Sequence, residues 1–472
     1  MYKKFLLGSV IVLAATTVAV SSAILLQVAE LSGFLQKHGH TIPSLGGAVD
    51  TASAGSPQTI MILGSDHRRQ DTASDRPHSD TILLLRLDPG HPATTVMSIP
   101  RDLKVPIPGH GTDKINQAYY DGGAALTLRT VKRLLSTPGR PFQINHVVDI
   151  NFRGFRRAVD YVGCVYVAID RRYYNPVGTG YASIDIQPGY QRLCGQDALD
   201  YVRYRHGDND VVRGARQQDF LRQAKAQIGA KQIFEKRDRL LQVFAAYTQT
   251  DKNLQGAKAL LDLGQLAFLS AGHPVREVKF PAIVPDSPTA AYVGYSPKRL
   301  PIALDQFLSG RTASSAKRRS RSRTTKVPLE AAARQGEDQA IVAARGTPFP
   351  IYYPTQVAPG GAYQGPGRPY RLRTLNGTKR RAYTMVVQVP GVGEYYDIEG
   401  MNWLNPPILQ KPDARRKIGA RTYSLYFDGS KLRLVAFRTG NAVYWVTNTL
   451  TRSLSNKQML GIASSMRPLG HG

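Results

Sequence analysis

Between Thr59 and Ile169, short apolar runs alternate with amphipathic stretches, and this alternation restricts the fold more than any other feature of the chain. Thr59 to Leu63, Thr81 to Leu87 and Thr94 to Ile99 have the length and residue types of buried strands. Ala124 to Leu135, after Asp121-Gly-Gly123, has helical spacing. His146 to Ile150 reads as a strand, Phe152 to Val162 as a helix and Cys164 to Ile169 as another strand. Such interleaving buries a sheet under helices, so the expected fold class is α/β, a central mixed β-sheet sandwiched by helices. Asp219 to Phe244 and Asn253 to Ser270 are expected as further helices, and Val278 to Val284 as a returning strand.

The ends of the chain follow other rules. Met1-Tyr-Lys-Lys4 precedes an uncharged run from Phe5 to Ala29, long enough to cross a bilayer as a helix. Lysines ahead of the span keep the N-terminus in the cytoplasm and place the remainder outside the membrane. The rival reading is a cleaved leader ending near Ser21-Ser-Ala23, and both readings export the body. The expected organisation is a cytoplasmic stub and anchor (1–30), a spacer (31–57), an α/β domain (58–310), a basic linker (311–336) and a small C-terminal α+β domain (337–472). The linker expectation rests on seven basic and no acidic residues from Arg311 to Lys326. In the last part Tyr383 to Val389, Thr422 to Phe427, Arg433 to Arg438 and Ala442 to Thr447 are strand-like, and Asn456 to Ser465 is helical.

Export also decides what the charge means. A net charge of +28 points to nucleic acid in the cytoplasm, but outside a cell the abundant polyanions are headgroups and phosphate-rich wall polymers. The chain has two cysteines, Cys164 and Cys194. In an oxidising compartment they favour a disulfide contributing roughly 3–4 kcal/mol by chain entropy. Two separate buried thiols are the alternative.

The densest chemistry lies between Tyr201 and Gln218, where eighteen residues hold four arginines, two aspartates and two glutamines. Read as a strand, Tyr201 to His206 sends Arg203 and Arg205 to one face. Read as a helix start, Asp210, Arg213 and Gln217 share a face that can meet that pair. Planar guanidinium forks in such a cluster suit phosphate or diphosphate. Asp66 follows the first strand and Asp80 precedes the second, so the two carboxylates could share one Mg²⁺; aspartates at strand ends also serve as turn and cap residues. Arg101 and Asp102 follow the third strand and Lys114 comes shortly after, readable as anion ligands or as a surface ion pair and a solvated lysine.

Taken in order, Leu-Gly-Ser-Asp66-x-Arg68, Ser-Asp80-Thr, Ser-Ile-Pro-Arg101-Asp, Asp-Lys114-Ile-Asn, Ala-Leu-x-Tyr-Val-Arg203-Tyr-Arg205-His and Asp210-x-x-Arg213-x-x-Arg216-Gln217-Gln218 resemble the LytR-CpsA-Psr family of cell-envelope phosphotransferases. The resemblance covers about Thr59 to Ala230. It implies transfer of a glycan-1-phosphate unit from a polyprenyl diphosphate carrier to a peptidoglycan hydroxyl, by an enzyme held in the membrane by its N-terminal helix. It further implies Mg²⁺ (or Mn²⁺) on Asp66 and Asp80, and a diphosphate held by Arg101, Arg203, Arg205 and Arg213. Lys114, Asp210 and Gln217 would complete the pocket, Arg68 would support it, and Asp66 is a candidate base for the acceptor hydroxyl. Two positions depart from the family pattern: the usual Asp-x-Gly-Arg is Asp210-Val-Val-Arg213, and the usual Gly-Gly-Val is Gly163-Cys164-Val165. The alternatives are a hydrolase of polyprenyl diphosphates and a non-catalytic binder of anionic wall polymer; nucleic acid is not an expected partner.

Overall fold

The computed structural model describes residues 29–30, 32–43, 45, 47–53, 55–65, 79–178, 183–204, 207–229, 235–270, 272–284, 292–311, 328–391 and 393–470. The apolar run from Phe5 lies almost wholly outside them, as do Asp66, Arg68, Arg205 and most of the basic linker. Among the described residues no helix is long and apolar enough to cross a membrane.

The first unit is built on a seven-stranded mixed sheet. Its strands are β1 (His40–Thr41), β2 (Gln58–Ser65), β3 (Ser79–Leu87) and β4 (Thr94–Ile99), then, after a hairpin of β5 (Lys104–Ile107) and β6 (Gly111–Lys114), β7 (His146–Asn151). Outside the sheet, β8 (Val165–Ile169) pairs antiparallel with β9 (Gly189–Leu193); β10 (Thr248–Thr250) and β11 (Val275–Glu277) complete the sheet, in the order β1-β10-β7-β2-β3-β4-β11. The five strands expected between Thr59 and Ile169 are all present, Thr94–Ile99 with the same bounds. Alternation in β2 explains the layering. Met61 and Leu63 face a core shared with Leu128 and Val131 of α1 (Gln117–Leu135), while Ile60 and Ile62 face Leu263 and Leu266 on the opposite side. Helix α1 breaks at Gly122 and Gly123, the latter at φ +59°, so its regular part starts at the Ala124 read from sequence.

Three helices stack beside this sheet: α2 (Phe152–Val162), α3 (Gly195–Arg203) and α4 (Asp210–Gln227). Here one expectation fails. Tyr201 to Arg203 is not a strand but the last turn of α3, which ends at Tyr204 with φ −52° and ψ 136°. The residues fit both periods, but Ala198, Leu199, Tyr201 and Val202 are buried at helical spacing, and that face wins. Among the described residues, the long helix expected from Asp219 to Phe244 is divided between α4 and α5 (Arg237–Tyr247). Asn253 to Ser270 becomes a single 3₁₀ turn followed by α6 (Ala257–Leu269), and Val278 to Val284 holds the two-residue strand Ala282–Ile283.

The second unit is an eight-stranded antiparallel sheet that includes β12 (Arg368–Arg373), β13 (Lys379–Gln388), β14 (Tyr395–Met401), β15 (Ala414–Ile418), β16 (Arg421–Asp428), β17 (Lys431–Thr439) and β18 (Ala442–Thr447). It begins earlier than the expected residue 337: Glu330–Ala331 already pairs with Gln356–Val357, and α7 (Ala333–Ala344) follows. One face packs under α7 and α8 (Asn456–Ser464). The other buries Tyr370, Met401 and Trp445 against Tyr166 of β8 and Tyr190 of β9, so the two units share an aromatic seam. Glu399 and the Tyr370 hydroxyl both meet the Tyr190 N–H, at 3.0 and 2.8 Å.

Candidate active site

The antiparallel register of β3 and β4 builds the centre of the site. Ile82 pairs with Ile99, so two residues outward Asp80 stands opposite Arg101. Arg101 Nη1 donates to Asp80 Oδ1, and Arg203 Nη2, from the end of α3, lies 3.6 Å from Asp80 Oδ2. One carboxylate thus sits between two guanidinium groups, the arrangement a phosphate oxygen pair would take up. The Arg203 guanidinium also lies over the Phe152 ring at 3.7 Å, which fixes its plane.

The start of α4 closes the other side. Asn209 caps the helix by accepting from Val212 N at 2.9 Å. Asp210 Oδ2 accepts from the Asp102 N–H at 3.1 Å, and Asp210 Oδ1 lies 3.0 Å from Arg213 Nη2. Lys114, at the end of β6, reaches Asp102 Oδ1 at 3.2 Å. Gln217 donates to Thr81 Oγ1 at 2.9 Å and to the Val202 carbonyl at 3.2 Å, tying α4 to β3 and α3. Burial lowers the Arg213 pKa, with Arg101 adding to that and Asp210 opposing it. Burial and then Asp210 raise the Asp102 carboxyl, against Arg101 and Lys114.

Two donors in this cluster are unspent. Arg101 Nε and Arg213 Nη1 are buried and have no hydrogen-bond partner among the described residues. Such a group costs roughly 1–3 kcal/mol unless something accepts from it. The ion pair considered for Arg101 and Asp102 is present at 3.8 Å but largely buried and not at the surface, and Arg101 is held chiefly by Asp80.

Of the residues read from sequence, Asp80, Arg101, Lys114, Arg203, Asp210, Arg213 and Gln217 converge here. Asp66, Arg68 and Arg205 lie outside the described residues. A divalent cation is tested by donor chemistry. Ser65 pairs with Ser79, which brings the position before Asp66 beside the position before Asp80. The Asp80 carboxylate offers hard donors of the kind Mg²⁺ takes, although both its oxygens face arginines, so a cation would share them. The sole group of three metal-ligating side chains among the described residues is Asp160, Cys164 and Cys194, and its cysteines are bonded to each other as expected.

Sequence reasoning gave no role to Arg216, which is fully buried. Its guanidinium pairs with Asp208 and donates to the Tyr204 carbonyl at 2.8 Å and the Tyr201 carbonyl at 3.3 Å. It therefore pins the turn between α3 and α4 from within. Val212, standing where the family's glycine would be, is buried with Ala215 against Leu450 of the second unit.

The profile of the LytR_cpsA_psr family matches residues 28–298, more than half of the chain and all of the site just described. The chain belongs to the LytR_cpsA_psr family. Relatives include the polyisoprenyl-teichoic acid–peptidoglycan teichoic acid transferase TagT of Bacillus subtilis, 34% identical over 34% of this chain and 50% of TagT. The TagU transferase of Halalkalibacterium halodurans is 35% identical over 43% of this chain and 64% of its own. The chain thus spans between half and two thirds of the length of these relatives. Among solved structures, TagT bound to LIIa-WTA has a TM-score of 0.41 at 23% identity, covering 56% of this chain and 94% of its own. The LytR-CPS2A-psr family protein YwtF (TagT) with bound octaprenyl pyrophosphate lipid has a TM-score of 0.40 at 22% identity, covering 57% and 98%. The eight-stranded C-terminal sheet of this LytR_cpsA_psr protein lies beyond the matched region.

Proposed function

We propose that this chain moves a glycan-1-phosphate unit from a polyprenyl diphosphate carrier to a hydroxyl of peptidoglycan, from the outer face of a membrane to which its N-terminal segment anchors it. The observation that carries the reading is the pair of buried donors, Arg101 Nε and Arg213 Nη1, that have no hydrogen-bond partner among the described residues, beside an Asp80 carboxylate already bridging Arg101 and Arg203. A diphosphate satisfies the donors and takes the place that the carboxylate only partly fills. The names of the relatives support the same substrate class.

The acceptor oxygen forms a bond to the phosphorus that bears the sugar, the bond from that phosphorus to the bridging oxygen breaks, and polyprenyl phosphate leaves with the electron pair. The acceptor proton passes to a base, for which Asp66 is the candidate. Phosphoryl transfer of this kind needs charge stabilisation and in-line placement more than covalent help. Arg101 and Arg203 hold the charge that moves to the leaving phosphate, while Asp210, through Asp102, keeps the strand end and the helix start in register. Mg²⁺ or Mn²⁺ held by Asp66 and Asp80 would supply further neutralisation of phosphate charge.

Titration with a short-chain polyprenyl diphosphate tests the site. Binding that is lost in both Arg101→Ala and Arg203→Ala supports the reading, and binding unchanged by either substitution refutes it.

A further inference from the structure

Helix α4 does not end at the anion site. Three successive side chains leave it in different directions: Arg216 inward, Gln217 to the site, and Gln218 away from it. With its amide oriented to satisfy both neighbours, Gln218 accepts from Ser98 N at 2.9 Å and donates to Glu277 Oε1 at 3.0 Å. One residue further, Asp219 pairs with Arg222 and accepts from Arg452 at 3.1 Å, and Arg222 reaches Asp428 at 2.8 Å. These contacts join α4 to the second unit.

Beside that seam lies a cavity of about 320 Å³. Its basic lining is Arg276, Lys279, Arg311, Lys431 and Arg452, drawn from both units. Against these five stand two carboxylates, Glu277 and Asp428, and Asp428 is already engaged by Arg222 and Arg452. Glu277 is pushed up to about 7 by burial and by Asp428. Its Oε2 is buried without a hydrogen-bond partner among the described residues, so the protonated acid adds a donor. At the rim, Arg311 and Lys431 pair with no carboxylate among the described residues. A gap of about 30 Å³ lined by α4, room for one water, shares Glu277 and Lys279 with this cavity and Asp210 with the anion site, so it stands between the two.

We propose that the cleft between the two units is a second anion site, which takes a phosphodiester-linked segment of the glycan chain while the diphosphate sits at Arg101 and Arg203. The proposal rests on the transfer reading for its biological substrate, but not for its chemistry. Arg276, Lys279, Arg311 and Lys431 face the cavity beside Arg452, whose own fork is held by Asp219, Asp428 and the Thr449 and Leu450 carbonyls, and such cations match phosphate oxygens in geometry and charge. Because both sites border the same water-sized gap, a chain long enough to pass around it at the surface occupies both at once, which raises the effective concentration of the reacting end.

The test uses the full-length protein and an oligo(glycerol phosphate), which carries phosphodiesters but no prenyl diphosphate. Calorimetry at an ionic strength of about 0.15 M limits distant charge effects. Reversing the two rim charges (Arg311→Glu with Lys431→Glu) is expected to weaken binding at least about tenfold. Reversing two exposed arginines on β15 (Arg415→Glu with Arg416→Glu) changes net charge equally and is expected to leave binding within about twofold. Equal weakening by both double variants, or by neither, overturns the proposal, and a polyglutamate of the same charge binding as tightly overturns the phosphate assignment. Cleft-confined binding in a protein that shows no transfer supports the second site while refuting the transfer reading, so the two failures are distinct.

Discussion

The backbone N–H of Asp102 donates to the carboxylate of Asp210 at 3.1 Å, across 108 residues of sequence. This bond fastens the end of β4 to the first turn of α4. It sets Arg101 and Arg213, two like charges that would otherwise separate, on either side of a common space. Burial and Arg101 both lower the Arg213 pKa, a cost that an anion between the two groups offsets.

Arg203 is about one third exposed and packs on Phe152, so its removal should spare the fold. Arg203→Ala is expected to lower turnover by roughly 10²- to 10³-fold. Its stability should fall by no more than about 1 kcal/mol, the worth of the lost cation–π contact. An unfolded Arg203→Ala protein would contradict the assignment.

Arg216 should behave in the opposite way. Its guanidinium is fully buried on Asp208 and two carbonyls of the α3–α4 turn, and Asp208 would keep Arg171, at 2.6 Å, as its partner. Arg216→Ala should cost at least about 3 kcal/mol in denaturant unfolding. A stable variant that is merely inactive would mean that Arg216 acts on substrate.

Cys164 adopts φ +65°, the left-handed region that suits the glycine usual at this position in the family. The bond to Cys194 holds it there. With Cys194→Ala as background, Cys164→Gly should be more stable than Cys164→Ala by about 1 kcal/mol. Equal melting temperatures would remove backbone conformation as the reason for the family's glycine.

Glu277 lies among Gln218 of α4, Lys279, Asp428, Arg222 and Arg452. Burial, then Asp428, raises its pKa to about 7 from 4.5, while the three cations oppose the shift. Between those values the folded protein keeps a proton that the unfolded chain releases, so this group's contribution to stability falls as pH rises through the window. Glu277→Gln should remove that loss, and its advantage in melting temperature over the wild type should grow from pH 4.5 to 7 and then level off. A constant difference across the range would show that Glu277 does not titrate there.

Much of this architecture could be read from residues alone, for stated reasons. Thr94–Ile99 and Phe152–Val162 were legible because each repeats a single period between clear breakers. Tyr201-Val-Arg-Tyr-Arg was not, since its tyrosines and valine suit a strand while Ala198 and Leu199 before them extend a helix. That Asp80 and Arg101 join Arg203 and Arg213 was implied by the family resemblance and not by spacing, and that Asp80 bridges two arginines depends on the β3–β4 register. The aromatic seam was hidden because Tyr166, Tyr190, Tyr370 and Trp445 look like ordinary core until both sheets are in place. The cleft along α4 was hidden for the same reason, as its charges come from segments more than a hundred residues apart.

The most direct test of the central claim is product analysis. The purified protein is mixed with a short-chain polyprenyl-diphosphate sugar, Mg²⁺ and an uncrosslinked peptidoglycan oligomer, and both products are weighed by mass spectrometry. The expected result is sugar phosphate on the oligomer together with polyprenyl phosphate, both lost in Arg101→Ala. Polyprenyl phosphate without a modified oligomer, or intact lipid bound by an inactive protein, would contradict the transfer reading.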